Sequence, residues 1–224
     1  MHIGTWPGAV LRSANINLRL SGQDLGGGRS LSGSEQTIST DAGFWKLDIG
    51  GVVLKGRPEV MLWRALEGAL DGRSNTIDIV ICDVTRGRVG GEAVPHSDGT
   101  TFSDGSMYVG GSPVTTAASA TLRAGLLVLD TAGAYELIGG ETLSIDHGGD
   151  IGPRLYRIRQ ITNVDGDTVT VRITPPLRAA VASGESVEFA RPKGRFKLAE
   201  AEGMAAELDL KRRAQPSVGF VEAI

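Results

Sequence analysis

The amino-acid sequence predicts a mainly β protein that combines a β-sandwich-like domain, one α-helix and an inserted small β-barrel. Three observations lead to this fold class. Short runs of alternating apolar and polar residues recur along the chain. Glycine is abundant, with 32 residues among 224, whereas aromatic residues make up only 5%. One segment alone has the period of an amphipathic helix. Many short strands joined by glycine turns are typical of sandwiches and barrels.

The clearest single element is a β-hairpin within residues 152–178. Apolar residues alternate with threonine and arginine through 168–174, as in a half-buried strand. Asp165-Gly166 supplies the positive φ that a tight turn needs. Pro175-Pro176 cannot donate to a strand ladder, so the second strand is predicted to end there.

The first third of the chain alternates between predicted strands and turns. Ile16, Leu18 and Leu20 occupy alternate positions of one strand. The glycine-rich segment 21–30 follows and is predicted to be a mobile loop. In the strand 44–49, Trp45, Leu47 and Ile49 share one face.

The predicted helix runs from Pro58 to Leu70. Pro58 suits the first turn, where its missing N–H costs nothing. Asp71-Gly72 is expected to end the helix, with Gly72 in the left-handed conformation. The apolar stripe predicted for this helix is formed by Met61, Leu62, Ala65, Leu66 and Ala69. A strand with Ile77, Ile79 and Ile81 on alternate positions follows it.

The second module lies between about Val114 and Pro192, after a long connection at 86–111. Its strands are predicted near Leu122, 126–129, 143–145, 155–161, 168–174 and 186–189. The tail is predicted to return to the first module with strands at Phe196/Leu198, Leu208/Leu210 and Val218/Phe220; a helix over 198–210 is the competing interpretation. The expected domains are therefore 1–100 plus 193–224, and an inserted domain at 101–192.

Composition and charge exclude several classes of function. The net charge of −3, with no basic cluster longer than Lys211-Arg212-Arg213, argues against specific nucleic-acid binding. The single cysteine, Cys82, excludes an intrachain disulfide and a multi-cysteine metal site, and its apolar neighbours indicate a buried structural thiol. The N-terminus lacks the pattern of a signal peptide, and no window has the apolar length of a membrane span. We therefore expect a chain made and folded in a cytoplasm.

No segment carries a strong catalytic or metal-binding pattern. Asp146, His147 and Asp150 are suitable ligand types, but a solvated turn between strands explains them more simply. The tandem Ser-Asp-Gly segments at 97–99 and 103–105 lack the spacing and closing Glu of a calcium loop, so tight turns are expected. His2 and His96 lie at a terminus and in a loop. We therefore predict no catalytic, cofactor-binding or metal-binding residues, no cofactor and no enzymatic activity.

Tryptophans provide the remaining candidates for a binding role. Trp45 and Trp63 lie on the predicted core faces of a strand and the helix, which favours core packing over a sugar-stacking platform. Trp6, beside Pro7, is the tryptophan expected to pack against another subunit.

The order of three segments resembles the distal tail proteins of long-tailed bacteriophages and related tail-like particles. The first segment combines Phe44-Trp-Lys-Leu-Asp-Ile49 with the helix and the strand to Asp83. The second is 152–178, with its Asp-Gly hairpin and Pro-Pro stop, and the third is 187–198. The resemblance implies a tail-tube-like first domain and an inserted barrel of OB- or galectin-like type.

The resemblance also implies an architectural function. Copies would form a homohexameric ring at the virion tail tip, assembled in the host cytoplasm. The ring would bind the tail tube protein on one side and the hub, baseplate and tail fibre proteins on the other, without membrane contact. Another minor tail protein is a related alternative. Two alternatives come from other classes: a carbohydrate-binding β-sandwich module, which would need an exposed aromatic platform, and a hydrolase that uses Asp146, His147 and Asp150.

Overall fold

The structure is a computed structural model that describes residues 1–13, 15–22, 24–29, 32–33, 35–39, 43–81, 98–101, 103–104, 114–132, 136–206 and 213–224. The chain divides into two compact units. Unit 1 comprises Met1–Val80 and Gly194–Ile224, and unit 2 comprises Ile81–Lys193. The boundaries between the units fall at 80/81 and at 193/194.

Strands dominate the described residues of unit 1, as the sequence predicts. In chain order its elements are β1 (His2–Thr5), β2 (Asn15–Ser21), β3 (Asp24–Arg29), β4 (Glu35–Ser39), β5 (Phe44–Gly50), β6 (Leu54–Lys55), α1 (Gly56–Leu70) and β7 (Thr76–Val80).

Unit 2 contains β8 (Val114–Thr116), β9 (Leu126–Asp130), β10 (Thr142–Asp146), β11 (Pro153–Asp165), β12 (Thr168–Thr174) and β13 (Ser186–Glu188). The chain then returns to unit 1 with β14 (Lys193–Leu198), β15 (Arg213–Ala214) and β16 (Val218–Glu222).

A six-stranded sheet in the order β1-β7-β14-β16-β5-β2 organises unit 1. Trp45, Leu47 and Ile49 alternate along β5 and are fully buried, which confirms the predicted face. Phe220 on β16 lies opposite Leu47 and is buried with it. Because Phe220 enters 173 positions after Leu47 in the chain, the core of unit 1 forms only when the C-terminal strands return.

The helix α1 confirms the predicted helix but not its predicted apolar stripe. Glu59 accepts a hydrogen bond from the backbone N–H of Lys55, which satisfies one donor at the helix start. Asp71 and Gly72, with φ of 46° and 59°, end the helix in the left-handed conformation. The buried residues of the helix are Val60, Trp63 and Leu70, whereas Met61, Ala65 and Ala69 of the predicted stripe are exposed.

The contacts of Trp63 determine which face of the helix is buried. Trp63 donates from Nε1 to the carbonyl oxygen of Met204 at 2.6 Å. Its ring also meets that of Trp6 edge to face, with centroids 5.9 Å apart. These contacts turn the helix so that the large indole, rather than Met61, enters the core.

The glycine-rich segment was predicted as a mobile loop, and the structure corrects this. Asp24–Arg29 forms β3, which pairs antiparallel with β4. Glycine lowers strand propensity but does not prevent pairing. A neighbouring strand therefore orders the segment, and that strand is not apparent from the glycine composition.

Unit 2 is a closed six-stranded barrel in the order β10-β11-β12-β9-β8-β13. The predicted hairpin is confirmed: β11 and β12 join at Gly166, with φ of 56°, and β12 ends before Pro175. The strands predicted from 126 to 189 are present as β9 to β13. The prediction of a strand near Leu122 is wrong, because this exposed residue lies in a turn where Arg123 has φ of 66°.

The C-terminal strands β14 and β16 match the predicted strands at Phe196/Leu198 and Val218/Phe220. The strand predicted at Leu208 and Leu210 lies outside the described residues. The competing helix is absent from 198–206, where turns follow β14. Among the described residues, no helix is long and apolar enough to cross a membrane.

Candidate functional site

The strand β2 forms one end of the six-stranded sheet. It pairs with β5 without a register shift, from Asn15 opposite Gly50 to Ser21 opposite Phe44. Its other side carries no strand among the described residues. The terminal strand at the opposite end of the sheet is β1. Such edges present backbone donors and acceptors to whatever approaches them.

The apolar side chains of β2 lie on the core side of the sheet, where Ile16 and Leu20 remain exposed and Leu18 is half-buried. Ile16, Leu18 and Leu20 lie opposite Ile49, Leu47 and Trp45, respectively. Ile16 and Leu20 are 37% and 36% exposed. We call Ile16, Leu18 and Leu20 the edge stripe.

A polar cleft of about 580 Å³ lies at the same end of unit 1, on the opposite face of the sheet. It is lined by Asn15, Asn17, Asp48, Ile49, Gly50, Ala199, Glu200, Gly203, Ser217, Val218 and Gly219. The lining comes from β2, β5, β16 and the segment after β14, which the fold brings together from three distant parts of the chain.

The absence of a side chain at Gly50 leaves space for the side chain of Asn15 in the cleft. A Cβ added to Gly50 would lie 2.0 Å from Oδ1 of Asn15, so the Asn15 amide lies over the Gly50 main chain. Asp48 forms an exposed ion pair with Arg19 on the neighbouring strand. The Ser217 hydroxyl accepts a hydrogen bond from the Gly51 N–H at 3.1 Å.

The side chains of this cleft are suited to hydrogen bonding. Its side chains offer amides, carboxylates and a hydroxyl, which suit a polar, hydroxyl-rich ligand. The ionisable side chains of the described lining are the carboxylates of Asp48 and Glu200. The net charge of the carboxylates is reduced because Arg19 pairs with Asp48.

The loop Asp146–Gly152 is a tight connection between β10 and β11. The Asp146 carboxylate accepts a hydrogen bond from the Gly148 N–H at 3.0 Å. The Nε2 of His147 lies 2.7 Å from the hydroxyl of the buried Tyr156. Burial lowers the pKa of His147, and the positive charge of Arg154 lowers it further. The geometry favours a structural turn over a hydrolase or metal site.

The first Ser-Asp-Gly segment forms a local turn in the described residues. Asp98 accepts hydrogen bonds from the Thr100 N–H at 3.0 Å and from the Thr100 hydroxyl at 2.6 Å. These bonds lower the pKa of the Asp98 carboxyl. Ser97 and Gly105 lie outside the described residues, as do Cys82 and His96. Within the described part of the chain, no three His, Cys, Asp or Glu side chains cluster as metal ligands.

The aromatic candidates are buried where the structure describes them. Trp45 and Trp63 are core residues, as predicted. Trp6 was expected to pack against another subunit, but it is 8% exposed and packs on Trp63 and Phe220 within its own chain. In the inserted module, Tyr156 and Phe189 are buried, and Tyr135 lies outside the described residues. The two buried rings cannot form the sugar-stacking platform required by the carbohydrate alternative.

The cleft was missed by sequence reasoning. Asn15 and Asn17 were visible only as the polar positions of a strand, and the glycines of β5 and β16 carry no signal by themselves. No known protein-family model matches the chain, and no curated protein sequence is similar to it.

Proposed function

We propose that this chain is a structural subunit of a ring at the distal end of a phage tail, a distal tail protein or a related minor tail protein. In this role it joins the tail tube to the hub, baseplate and fibre proteins. The edge stripe is the observation that carries the proposal. It places exposed aliphatic side chains beside an open strand edge, which is the combination that strand addition from another subunit uses.

The edge strand β2 has few of the devices that prevent such pairing. It contains no proline, and its register with β5 is continuous over seven residues. Arg19 is its only charged residue, and this residue is paired with Asp48 on its own sheet. Monomeric proteins commonly protect an edge with bulges, proline or lysine. The unprotected edge therefore favours a partner strand.

The position of the two sheet ends suits a ring. The edges β1 and β2 are different strands at opposite ends of one sheet. A contact between unlike surfaces is heterologous, and it generates a closed ring when the rotation between subunits divides a full turn. A contact that used one surface twice would give a dimer instead.

The inserted barrel fits the architecture that the resemblance implies. Ile81 donates from its backbone N–H to the carbonyl oxygen of Pro192 at 2.8 Å, so the chain enters and leaves unit 2 side by side. Such an insertion leaves the sheet of unit 1 continuous. We assign unit 1 as the tail-tube-like domain and the barrel as the OB- or galectin-like domain of this proposal.

Labelling of assembled particles tests the proposed location. An antibody against the purified chain, coupled to gold, is applied to tailed particles from cells that carry its gene. Label at the tip of the tail supports the proposal. Label on heads or along the tube, or particles that assemble fully without the chain, contradicts it.

The polar cleft favours a second candidate, a carbohydrate-binding function in unit 1 rather than in the barrel. Amides, carboxylates and hydroxyls are the groups that recognise sugar hydroxyls, and ligand pockets commonly have volumes of about 300–1,000 Å³. A glycan array with the wild-type chain and Asn17→Ala tests this candidate. Selective binding that Asn17→Ala abolishes supports it, and absence of binding rejects it.

A further inference from the structure

The barrel carries two exposed patches of opposite charge, one at each end of the β11–β12 ribbon. We define the acidic tip as Val164, Asp165 and Asp167, which surround the hairpin turn. We define the basic patch as Leu122, Arg123, Leu126, Arg159 and Arg172. All of these side chains are exposed.

The strand register gathers the basic patch on the outer surface of the barrel. Arg172 lies opposite Gln160 on one side and opposite Leu126 on the other. The register shifts between Ile158 and Gln160, so Arg159 is the additional residue of a bulge and lies beside this row. Arg123 approaches from the turn before β9, where its N–H donates to the Leu177 carbonyl at 2.9 Å.

The segments that supply each patch carry charges of one sign only. No Asp or Glu occurs in 117–129, 156–163 or 168–178, which supply the basic patch. On the neighbouring segment, the carboxylate of Glu141 is buried and accepts hydrogen bonds from the N–H groups of Ile138 and Gly139. No Lys or Arg occurs in 160–171, which contains the acidic tip. Counter-charges for either patch are therefore absent from its own segments.

The two patches cannot neutralise each other within one barrel. Asp167 and Arg172 are five positions apart on an extended strand, a separation of about 17 Å at about 3.4 Å per residue. This exceeds the screening length of about 8 Å at physiological salt. Each patch can therefore attract a patch of opposite charge on another molecule.

Each patch also exposes aliphatic side chains among its charges. Val164 is 63% exposed at the acidic tip, and Leu126 is 47% exposed in the basic patch. An apolar centre surrounded by charges of a single sign is typical of a docking contact. The apolar centre supplies buried area, and the charges select a partner of opposite charge. The tip and the patch of this same barrel meet that requirement for each other.

We propose that the acidic tip of one barrel docks on the basic patch of the barrel of a second copy of this chain. The contact is heterologous and repeats around a closed assembly. This inference rests on the proposed ring. It adds a second layer of contacts between neighbouring subunits, made by the barrels and separate from the sheet edges of unit 1.

A charge-swap experiment tests the contact on the full-length chain. The patch variant is Arg159→Glu with Arg172→Glu, and the tip variant is Asp165→Lys with Asp167→Lys. Arg191→Glu reverses an exposed charge elsewhere on the barrel and serves as the control. Self-association is measured by sedimentation at low and at high salt, with negative-stain images of the same samples.

Each reversed variant alone places like charges together, so we expect its association to weaken by about tenfold or more at low salt, with a smaller effect at high salt. An equimolar mixture of the two variants restores opposite charges at every contact, and association should recover. A chain that carries all four substitutions should recover as well. Arg191→Glu should associate like the wild type.

Other outcomes overturn the inference. Wild-type-like association of either reversed variant would show that the patches do not meet, and rings that persist in those images would leave the proposed ring function intact. Loss of association that neither the mixture nor the fourfold variant restores would also reject the contact. A patch variant that loses binding to heparin, used as a polyanion probe, but keeps self-association would assign the patch to an anionic polymer. A wild-type chain that never associates would count against both the contact and the ring.

Discussion

The hydroxyl of Tyr156 lies 2.7 Å from Nε2 of His147, inside the end of the barrel. The same oxygen accepts a hydrogen bond from the backbone N–H of Arg178 at 3.0 Å. The Tyr156 hydroxyl and Nε2 of His147 are within hydrogen-bond distance, and the tautomer of the imidazole determines which of them donates. This arrangement agrees with the lowered pKa of His147, which burial causes first and Arg154 second; Asp146 and Glu185 oppose it more weakly.

The barrel should lose stability in mild acid through His147. In the unfolded chain this histidine binds a proton below about pH 6.5, whereas the folded chain resists protonation until a lower pH. Between these two pH values the unfolded state therefore binds more protons than the folded state. The stability of the barrel is complete above about pH 6.5 and decreases as the pH falls towards the lower pKa of His147 in the folded chain. Hydrogen exchange of the β10–β12 amides at pH 7.5 and 5 measures the change.

His147→Gln is the matched control for this prediction. Glutamine keeps a hydrogen-bonding side chain but does not titrate, so the pH dependence of β10–β12 exchange between 7.5 and 5 should decrease. An unchanged pH dependence in this variant would show that other groups cause it.

The indole hydrogen bond of Trp63 should contribute measurably to the stability of unit 1. Trp63→Phe leaves the Met204 carbonyl without its 2.6 Å partner in a buried site. We expect a loss of about 1–3 kcal/mol in the free energy of unfolding. Chemical denaturation followed by circular dichroism measures it.

Trp6→Phe provides the comparison for Trp63. It keeps an aromatic ring against Trp63 and Phe220, the two rings that Trp6 meets edge to face. Its cost should therefore be smaller. Equal costs for the two variants would mean that ring volume, and not the hydrogen bond, determines the effect.

Two ion pairs in unit 1 should differ in their importance. Arg195 donates from Nε to the Asp78 carboxylate at 3.0 Å, and both side chains are nearly buried. Arg19 and Asp48 are both exposed. Asp78→Asn should cost about 3 kcal/mol, because it leaves the buried guanidinium with less charge compensation. Asp48→Asn should cost less than about 1 kcal/mol.

Thermal and chemical unfolding of both Asn variants tests this difference. The three tryptophans, Trp6, Trp45 and Trp63, all lie in unit 1, so their fluorescence reports on this unit. Similar losses in the two variants would contradict the importance of burial.

A methyl group on Gly50 should displace the side chain of Asn15. The added Cβ would lie 2.0 Å from Asn15 Oδ1, at the end of a side chain that can rotate. Gly50→Ala should therefore cost only about 1 kcal/mol or less. In an Asn15→Ala background the same substitution should cost nothing, and a double-mutant cycle measures the coupling. Equal costs in both backgrounds would exclude this contact as the cause.

Local chemistry made part of the fold predictable. The turn at Asp165-Gly166 and the stop at Pro175-Pro176 depend on backbone preferences that neighbouring residues determine, and both are present. The alternation of β5 was equally informative, because its apolar residues all lie on one buried face.

Tertiary contacts determined what the sequence could not show. The helix turns its Trp63 rather than its Met61 inward because Trp6 and Met204 receive the indole. The strand β3 depends on β4 for its order. The polar cleft needs Asn15, Gly50 and Glu200 to meet, and no pattern within one segment encodes that meeting.

The mass and the negative-stain images of the purified chain test the ring most directly, when wild type is compared with Ile16→Glu/Leu20→Glu. These substitutions place charges in the edge stripe, where both residues are already partly exposed, so the fold should persist. The account predicts closed rings with a central hole for the wild type and monomers for the variant. A wild-type chain that stays monomeric alone and with the tail tube protein, or rings that the variant still forms, would contradict it.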